Sequence, residues 1–310
     1  MKNILIDCDP GHDDALAILT AIAHSKIINI LGITTIGGNQ TLEKVTTNAK
    51  NILDFVNSTI PLATGQPGPI TKELRIAPEA HGASGMDGPY FNGEDYPIAS
   101  MNAITFMYEK MMNCDEKVIL VGLGPLTNIA LLIKVFPEVQ KKIEYISIMG
   151  GGLDHGNLTP LAEFNIYVDP EAAQIVFHSG IPVVMSGLDV TEKAEIKVEE
   201  IDSLKDKGRV SHLAYELLHF YNKSGRQFGF INSPIHDLCA VAYIINPEMF
   251  SGTSYYVDVV TDGKARGLTF ADKRLVTEQA KNTFVLEGVD RGMFVGLLVD
   301  ALELLDEVSQ

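Results

Sequence analysis

Residues 4–24 read ILIDCDPGHDDALAILTAIAH, and this stretch decides the fold. The aliphatic run Ile4–Ile6 predicts a buried strand, and the apolar pattern that follows the acids predicts a helix over Asp13–His24. The acidic loop of residues 7–14 would therefore lie at the carboxyl end of a core strand and at the start of a helix. Strand–loop–helix units of this kind build α/β proteins.

The same alternation continues outward along the chain. Further strands are predicted at Ile30–Ile36, Val118–Val121, Tyr145–Met149, Pro182–Met185, 255–260 and 282–286. Helices are predicted at Leu42–Val56, Leu126–Val135, Pro170–His178, 209–223, 236–245 and 289–304. The early strand runs are nearly all apolar, as in a parallel sheet that is covered on both faces. We expect a doubly wound α/β fold with a mostly parallel, mixed sheet, and a single domain over residues 1–310, since no linker or repeat divides them.

Composition excludes several classes of protein. The 310 residues include 24 Lys and Arg against 40 Asp and Glu, which gives a net charge of −16. Hydrophobic residues make up 46% of the chain, enough to bury a core. The acid excess argues against nucleic acid and anionic membranes as partners, since both attract basic surfaces. No apolar run approaches the roughly 18 residues of a membrane span.

The cysteines and the N-terminus indicate the compartment. Cys8, Cys114 and Cys239 are scattered and form no CxxC pair, which is typical of a reducing environment. The apolar run before Asp7 is too short for a signal peptide. We therefore expect a cytoplasmic protein.

Polar and glycine-rich residues follow several predicted strands, and they should meet at one crevice. Such segments are Gly37-Gly38-Asn39, Gly122-Leu123-Gly124 and Gly150–Gly152. Ligands of open α/β sheets bind at the carboxyl ends of the strands. Two long stretches without periodicity, 64–97 and 224–235, are candidates for lids or binding loops.

Four carboxylates lie within eight residues: Asp7, Asp9, Asp13 and Asp14. Capping of the helix N-terminus explains one or two of them, with Asp13 or Asp14 the best placed. Four acids this close repel one another unless a cation neutralises them. Oxygen ligands favour Ca²⁺ or Mg²⁺ over zinc, so the cluster predicts a divalent ion and an attack by water on a polar substrate.

An apolar strand followed by DxD also begins the haloacid-dehalogenase-type phosphatases, in which the first Asp is a nucleophile beside Mg²⁺. Those proteins have Thr or Val shortly after the second Asp, whereas Pro10-Gly11 and then Asp13-Asp14 follow here. The fit is poor, but a phosphatase is one alternative hypothesis. A non-catalytic protein that binds ribonucleosides or sugars is another.

The string DCDPGHDDALAI, residues 7–18, resembles the signature of the inosine–uridine-preferring nucleoside hydrolases. Further segments resemble that family in the family's order: GGNQ at 37–40, HGASGMDG at 81–88, GPLTN at 124–128, MGG at 149–151, AEFNI at 162–166 and the pair His236-Asp237. The resemblance implies the nucleoside hydrolase fold. It also implies hydrolysis of the N-glycosidic bond of a ribonucleoside, with Ca²⁺ as cofactor and a dimer or tetramer of identical chains.

The resemblance also assigns residues to roles. Ca²⁺ would be bound by Asp9, Asp14, Asp237 and the backbone carbonyl of Leu123, where the family commonly has Thr. Asp9 would also be the general base for the metal-bound water, and His236 would protonate or hydrogen-bond the leaving base. The implied substrate contacts are Asp13 at the 2′-hydroxyl, Asn39 and Asn165 at the ribose hydroxyls, Asn157 and Glu163 at the 5′-hydroxyl, Met149 against the ribose and His81 in the base pocket.

These roles agree with the chemistry. Cleavage of the C–N bond passes through a ribosyl cation that resembles an oxocarbenium ion, as glycoside hydrolysis does, and an anionic pocket stabilises it. The function would be nucleoside salvage or catabolism, and the sequence leaves open whether the enzyme prefers purine or pyrimidine bases.

His12 is interpreted as a wall or surface residue. The aromatic group Phe220, Tyr221, Phe228 and Phe230 is either core or the wall of a lid.

Overall fold

The computed structural model describes residues 1–92, 96–274 and 278–308. Residues 93–95 fall within the predicted long loop 64–97 and lie outside the described residues, as do 275–277 and 309–310. Within the described ranges, no helix combines the length and the apolarity that crossing a membrane requires.

Strands of the described chain form one large sheet and two small ones. The strands are β1 (Lys2–Cys8), β2 (Ile28–Thr35), β3 (Leu62–Thr64), β4 (Val118–Gly122), β5 (Ile143–Met149), β6 (Val183–Ser186), β7 (Glu195–Ile196), β8 (Ser233–Pro234), β9 (Phe250–Tyr255), β10 (Val257–Val259), β11 (Thr269–Ala271) and β12 (Thr283–Val289). The large sheet has eight strands in the order β3-β2-β1-β4-β5-β6-β12-β9. Neighbours run parallel except β12 and β9, which are antiparallel. The predicted mostly parallel, mixed sheet is confirmed.

Helices connect most of these strands. They are α1 (His12–Ala23), α2 (Leu42–Phe55), α3 (Pro78–His81), α4 (Ala103–Met112), α5 (Thr127–Val135), α6 (Phe164–Val168), α7 (Pro170–Phe177), α8 (Leu188–Thr191), α9 (Val198–Ser203), α10 (Arg209–Gly225), α11 (Leu238–Ile245) and α12 (Arg291–Val308). Short 3₁₀ turns add to them at Pro137–Lys142, Arg226–Phe228, Pro247–Met249 and Gly263–Ala265.

Strand β1 is covered on both faces, which explains why it carries no alternating polar residues. Ile4, Ile6 and Cys8 belong to the core cluster that includes residues of α1, α2, α10, α11 and α12. Leu5 points to the opposite face and joins the cluster formed with α4, α5 and α7. Successive side chains of a strand alternate between faces, so the stretch Ile4–Ile6, which lies between two helical layers, is apolar at each position.

The chain reverses its direction across the sheet beside β1. From β1 it winds outward through β2 to β3, and β4 then returns to the other side of β1. This arrangement is a topological switch point, where the loops after two neighbouring strands diverge and leave a crevice. The acidic loop after β1 and the Leu123 loop after β4 both open into this region.

Some predicted boundaries are wrong. The strand predicted at 255–260 is two strands, because β9 ends at Tyr255 in the large sheet while β10 pairs with β11 in a separate ribbon. The helix predicted at 236–245 begins only at Leu238, which leaves His236 and Asp237 in the preceding loop. The helix predicted at 289–304 begins at Arg291 because β12 continues to Val289.

Candidate active site

The loop between β1 and α1 turns its carboxylates inward. Gly11 is the N-cap of α1, and its backbone N–H donates to Asp14 Oδ2 at 2.9 Å. A side chain at Gly11 would overlap the ring of His81, so glycine is required there by close approach. Asp14 therefore caps the helix, as the simpler interpretation of the cluster suggested, yet its other oxygen, Oδ1, is buried without a hydrogen-bond partner among the described residues.

Asp9 is enclosed by two glycine-containing loops. Its Oδ2 accepts a hydrogen bond from the backbone N–H of Asn39 at 2.6 Å. A side chain at Gly38 or at Gly124 would collide with the Asp9 carboxylate, so both loops approach it closely. Asp9 Oδ1 is buried and has no hydrogen-bond partner in the described part of the chain. Among the described residues, Asp9 and Asp14 thus each hold one fully buried carboxylate oxygen that has no hydrogen-bond partner.

Asp13, Asp14 and Asp237 bring their carboxylates together at the crevice. One oxygen from each lies within 4.8 Å of the others, and all three residues are buried. Asp237 arrives from the loop before α11, and the other two come from the first turn of α1. Asp9 is not a member of this group. The family resemblance names Asp9 instead of Asp13 as a metal ligand.

Burial and mutual repulsion raise the pKa values of these acids. Burial, and then the charge of Asp14, raises the pKa of Asp13 to about 7 and holds the pKa of Asp9 well above its usual range. Burial, followed by the charges of Asp13 and Asp14, also raises the pKa of Asp237 well above its usual range. No Lys or Arg of the described residues forms an ion pair with them. A cation would relieve this repulsion.

The donor set fits a hard divalent cation. All its donors are oxygens, and Ca²⁺ prefers six to eight oxygen ligands in a flexible shell. Asp9, Asp14 and Asp237 offer carboxylates. Leu123 lines the same cavity, and its carbonyl accepts a hydrogen bond from Asn165 Nδ2 at 2.7 Å. The unpartnered oxygens of Asp9 and Asp14 are the observation that favours an ion here.

A cavity of about 620 Å³ opens over this cluster. Ten of the twelve residues singled out in the sequence line it, namely Asp13, Asn39, His81, Leu123, Met149, Asn157, Glu163, Asn165, His236 and Asp237. The other two, Asp9 and Asp14, are not in its wall, but their carboxylates accept hydrogen bonds from Asn39, which is. The Asn39 side-chain amide donates to Asp9 O at 3.1 Å and to Asp14 Oδ2 at 3.3 Å.

Glu163 and Asn165 are held by the short helix α6. Glu163 is the N-cap of α6, and its carboxylate accepts backbone N–H bonds from Gly151, Asn165 and Ile166 at 2.9–3.1 Å. The Asn165 amide faces Leu123 O and lies 3.4 Å from Met149 Sδ. Helix capping therefore fixes both side chains at the cavity wall.

His81 stands at the start of a loop that glycines and one Asp shape. Gly82, Gly85 and Gly88 have φ of 82°, 85° and 128°, which side chains rarely adopt. The Asp87 carboxylate accepts the backbone N–H groups of Ala83 and Ser84 at 2.9 Å. The HGASGMDG string is thus a loop-forming motif that presents the His81 ring to the cavity.

His12 is not the wall or surface residue that the sequence suggested. It is fully buried, and its ring stacks on Phe220, Tyr221 and His81 with centroid distances of 5.0, 5.5 and 5.4 Å. Its Nε2 lies 2.8 Å from the backbone carbonyl of Asp87. Sequence reasoning missed this role because the partners of His12 come from distant parts of the chain.

The aromatic group divides between two settings. Phe220 and Tyr221 lie on α10 and pack against His12, and Tyr221 also lines the cavity. Phe228 lines the cavity from the 3₁₀ turn that follows α10 and is 52% exposed, and Phe230 lines it from the loop after that turn. None of the four belongs to the main core clusters, so the wall of a binding site is the better description.

His236 contributes a ring to the cavity beside Asp237. Its Nδ1 lies 2.8 Å from the hydroxyl of Thr191 at the end of α8. Burial lowers the pKa of His236 to about 4. The uncharged ring presents either a donor or an acceptor to a ligand, depending on its tautomer.

Comparison with known proteins places this site in a family. The model of the inosine-uridine preferring nucleoside hydrolase family matches residues 4–296. The pyrimidine-specific ribonucleoside hydrolase RihA of Shewanella sp. (strain MR-4) is 45% identical over 306 residues, which cover 97% of this chain and 96% of that protein. RihA of Escherichia coli (strain K12 / MC4100 / BW2952) is 46% identical over 306 residues, which cover 97% of this chain and 98% of that protein.

Solved structures agree with that assignment. The plant nucleoside hydrolase PpNRh1 superposes with a TM-score of 0.91 at 30% identity, covering 97% of this chain and 99% of that one. A purine-preferring ribonucleoside hydrolase from Gardnerella vaginalis superposes with a TM-score of 0.93 at 29% identity, covering 99% of this chain and 100% of that one. The fold is thus that of an N-glycosyl hydrolase. The chain belongs to the inosine-uridine preferring nucleoside hydrolase family and is a ribonucleoside hydrolase.

This membership decides between the hypotheses that the sequence left open. The haloacid-dehalogenase-type phosphatase and the non-catalytic binding protein are both excluded by the family match over nearly the whole chain. The individual roles of the twelve site residues stay predictions.

Proposed function

We propose that this hydrolase depends on Ca²⁺ and prefers pyrimidine ribonucleosides. The observation that carries the metal proposal is the set of buried carboxylates at the switch point, with partner-free oxygens on Asp9 and Asp14. The base preference is carried over from the pyrimidine-specific relatives at 45–46% identity, which are more similar in sequence than the purine-preferring structure at 29%.

Asp9, Asp14, Asp237 and the Leu123 carbonyl would hold the ion. When bound, Ca²⁺ would supply the positive charge that orients the ribose hydroxyls and lowers the pKa of a nearby water. Asp9 Oδ1 is free to accept the proton of the attacking water because no described residue hydrogen-bonds to it. The Asn39 backbone N–H, through Oδ2, fixes the orientation of this carboxylate.

The remaining wall residues would bind the ribose. Asp13 would accept a hydrogen bond from the 2′-hydroxyl, and Asn39 and Asn165 would hydrogen-bond the neighbouring hydroxyls. Glu163 and Asn157 would bind the 5′-hydroxyl, while Met149 would pack against the sugar. The anionic wall stabilises the positive charge that develops on the ribose as the C–N bond breaks.

The leaving base would occupy the half of the cavity that carries the rings. His236 would donate a hydrogen bond to the base as negative charge develops there, with the Thr191 hydroxyl orienting its ring. His81 and Tyr221 would border the base, and Phe228 would cover it. Burial of the base between rings excludes water from the developing charges.

The test begins with protein stripped of metal by a chelator. Uridine, cytidine, inosine, adenosine and 2′-deoxyuridine are then supplied with added Ca²⁺ or Mg²⁺, and free base is measured. We expect release of uracil and cytosine to exceed release of purines, to require added metal, and to fall strongly for 2′-deoxyuridine. Equal turnover without metal would refute the calcium proposal, and faster purine release would refute the base preference.

We also propose that the enzyme acts in nucleoside salvage or catabolism in the cytoplasm, as a homo-oligomer. The scattered cysteines support the reducing compartment. The family resemblance supports the assembly. Light scattering of the purified protein tests it, since a monomer mass would contradict the proposal.

A further inference from the structure

The small ribbon of β10 and β11 lies outside the large sheet, and the mechanism proposed above gives it no role. Thr269, the first residue of β11, is 1% exposed and is not in the cavity wall. Its hydroxyl nevertheless contacts the turn that follows β5. Oγ1 accepts the backbone N–H of Gly152 at 2.9 Å and donates to the carbonyl of the same residue at 2.8 Å. One side chain thus holds two consecutive peptide groups.

This turn consists of three glycines, residues 150–152, and its surroundings must set its shape. Gly151 has φ of 80°, and both Gly151 and Gly152 are buried. Glycine has the widest choice of backbone conformations, so hydrogen bonds from neighbouring elements select one of them. Among the described residues, Thr269 is the only hydrogen-bond partner of Gly152. Without its hydroxyl, a buried N–H and a buried carbonyl would lack partners, and the turn would have to move.

The same turn holds the Glu163 carboxylate in the cavity wall. Oε2 accepts the N–H of Gly151 at 2.9 Å and that of Ile166 at 3.1 Å, whereas Oε1 accepts only the N–H of Asn165, at 2.9 Å. A carboxylate has about four acceptor sites, so the remaining one is on Oε1. Gly151 is the one donor of the three that lies outside α6. Movement of the turn would therefore release one side of the carboxylate and change the direction of Oε1.

We propose that Thr269 is a positioning residue for the 5′-hydroxyl of the substrate. Its hydroxyl holds the glycine turn, the Gly151 N–H holds Glu163 Oε2, and Glu163 Oε1 then accepts a hydrogen bond from the 5′-hydroxyl. This inference rests on the proposed function, in which Glu163 binds that hydroxyl. It gives the β10–β11 ribbon a role in substrate binding from outside the cavity wall.

Two substitutions separate the Thr269 hydroxyl from the packing of its side chain. Thr269→Val keeps the shape but removes the hydroxyl, whereas Thr269→Ser keeps the hydroxyl and loses a methyl group. The substrates are uridine and 5′-deoxyuridine, which lacks the 5′-hydroxyl. We expect Thr269→Val to lower kcat/KM for uridine about tenfold or more, as for a hydrogen bond to a charged group. Its kcat/KM for 5′-deoxyuridine should change little, and Thr269→Ser should resemble the wild type on both substrates.

Thr20→Val is the matched control. Thr20 is also fully buried, and its hydroxyl donates to the Leu16 carbonyl within α1, away from the cavity wall. The ratio of kcat/KM for uridine to that for 5′-deoxyuridine should therefore keep its wild-type value in this variant. If Thr269→Val lowers kcat/KM for both substrates equally, the hydroxyl supports only the fold and the proposal is overturned. Such a result would leave the proposed function intact, since uridine would still be hydrolysed.

Hydrogen exchange measured by NMR tests the turn without turnover. The Gly152 N–H should exchange slowly in the wild type and in Thr269→Ser, and faster in Thr269→Val, because its acceptor is lost. The Gly151 N–H should also exchange faster in Thr269→Val, since the turn and Glu163 move together. Wild-type exchange of both amides in Thr269→Val would overturn the inference. Absence of base release from every ribonucleoside would instead refute the proposed function, and the exchange rates would still decide whether Thr269 holds the turn.

Discussion

Asp7 and Asp9 are two buried carboxylates two residues apart. Their hydrogen-bond partners indicate a structural role for Asp7 and a chemical role for Asp9. Asp7 Oδ1 accepts hydrogen bonds from Thr34 Oγ1 at 2.6 Å and from Asn128 Nδ2 at 2.8 Å. Asp9 Oδ1 is buried and accepts no hydrogen bond from any residue that the structure describes. We predict that Asp9→Asn lowers kcat by about 10²–10⁴-fold, since the amide cannot take the proton of the attacking water.

Asp7→Asn is the matched control. Its amide oxygen can accept the same two hydrogen bonds, and the pKa of Asp7 is already raised to about 7 by burial, so loss of the charge changes little. Steady-state kinetics with uridine check both variants. Near-normal turnover in Asp9→Asn, or equal losses in the two, would contradict the assigned base.

His236 is predicted to act on the leaving base, so its importance should depend on how poor a leaving group the base is. In His236→Ala, uridine hydrolysis should fall about 10²-fold or more, while an activated aryl riboside should fall far less because its leaving group needs no assistance. The ratio of kcat values on the two substrates measures this. Equal losses on both would instead indicate a role in shaping the cavity.

At the scale of elements, the sequence predicted those strands and helices whose residues show a local hydrophobic periodicity. The strand in Lys2–Cys8 and the helix that follows it were visible because continuous apolar runs mark buried strands. The separation of β9 from β10 was not visible, because it depends on which sheet each strand joins. The loop of residues 82–88 has no period at all, since glycine backbone angles and the Asp87 carboxylate determine its shape.

That loop gives a prediction about an element. Gly82 has φ of 82°, and a side chain there would collide with the Asp87 carboxylate. Gly82→Ala should therefore shift the loop, displace His81 and raise KM for uridine. Backbone strain adds a loss of about 1–2 kcal/mol in the free energy of unfolding.

Gly180 provides the control, because its φ is 80° and a side chain there would meet no atom within 4 Å. It precedes β6 and so lies at the amino ends of the parallel strands, whereas the cavity lies at their carboxyl ends. Gly180→Ala should cost a similar free energy of unfolding, read from urea denaturation, while KM stays unchanged. If both variants raise KM equally, general destabilisation and not the His81 loop is responsible.

At the scale of the whole molecule, the net charge of −16 resolves into separate groups of acids. Asp169 and Asp306 are buried away from the cavity and are partnered, since each accepts backbone N–H bonds and a hydroxyl hydrogen bond. Asp9, Asp13, Asp14 and Asp237 are buried together without a counter-charge among the described residues. Spacing along the chain revealed three of these four as neighbours, whereas Asp237 was assigned to them only by the family resemblance, because the fold alone brings it there.

This unneutralised group should make the stability of the whole fold depend on metal. Binding to the native state alone stabilises it by about 2.7 kcal/mol at a Ca²⁺ concentration 100 times Kd, which for a chain of this length raises Tm by roughly 5 °C. Thermal unfolding of the chelator-treated protein with and without Ca²⁺ measures the shift. Asp237→Asn should raise Tm in the metal-free protein, because one repelling charge is removed, and should abolish most of the Ca²⁺-dependent increase. If the wild-type Tm does not change with Ca²⁺, or if Ca²⁺ raises the Tm of Asp237→Asn as much as that of the wild type, these carboxylates do not hold the ion.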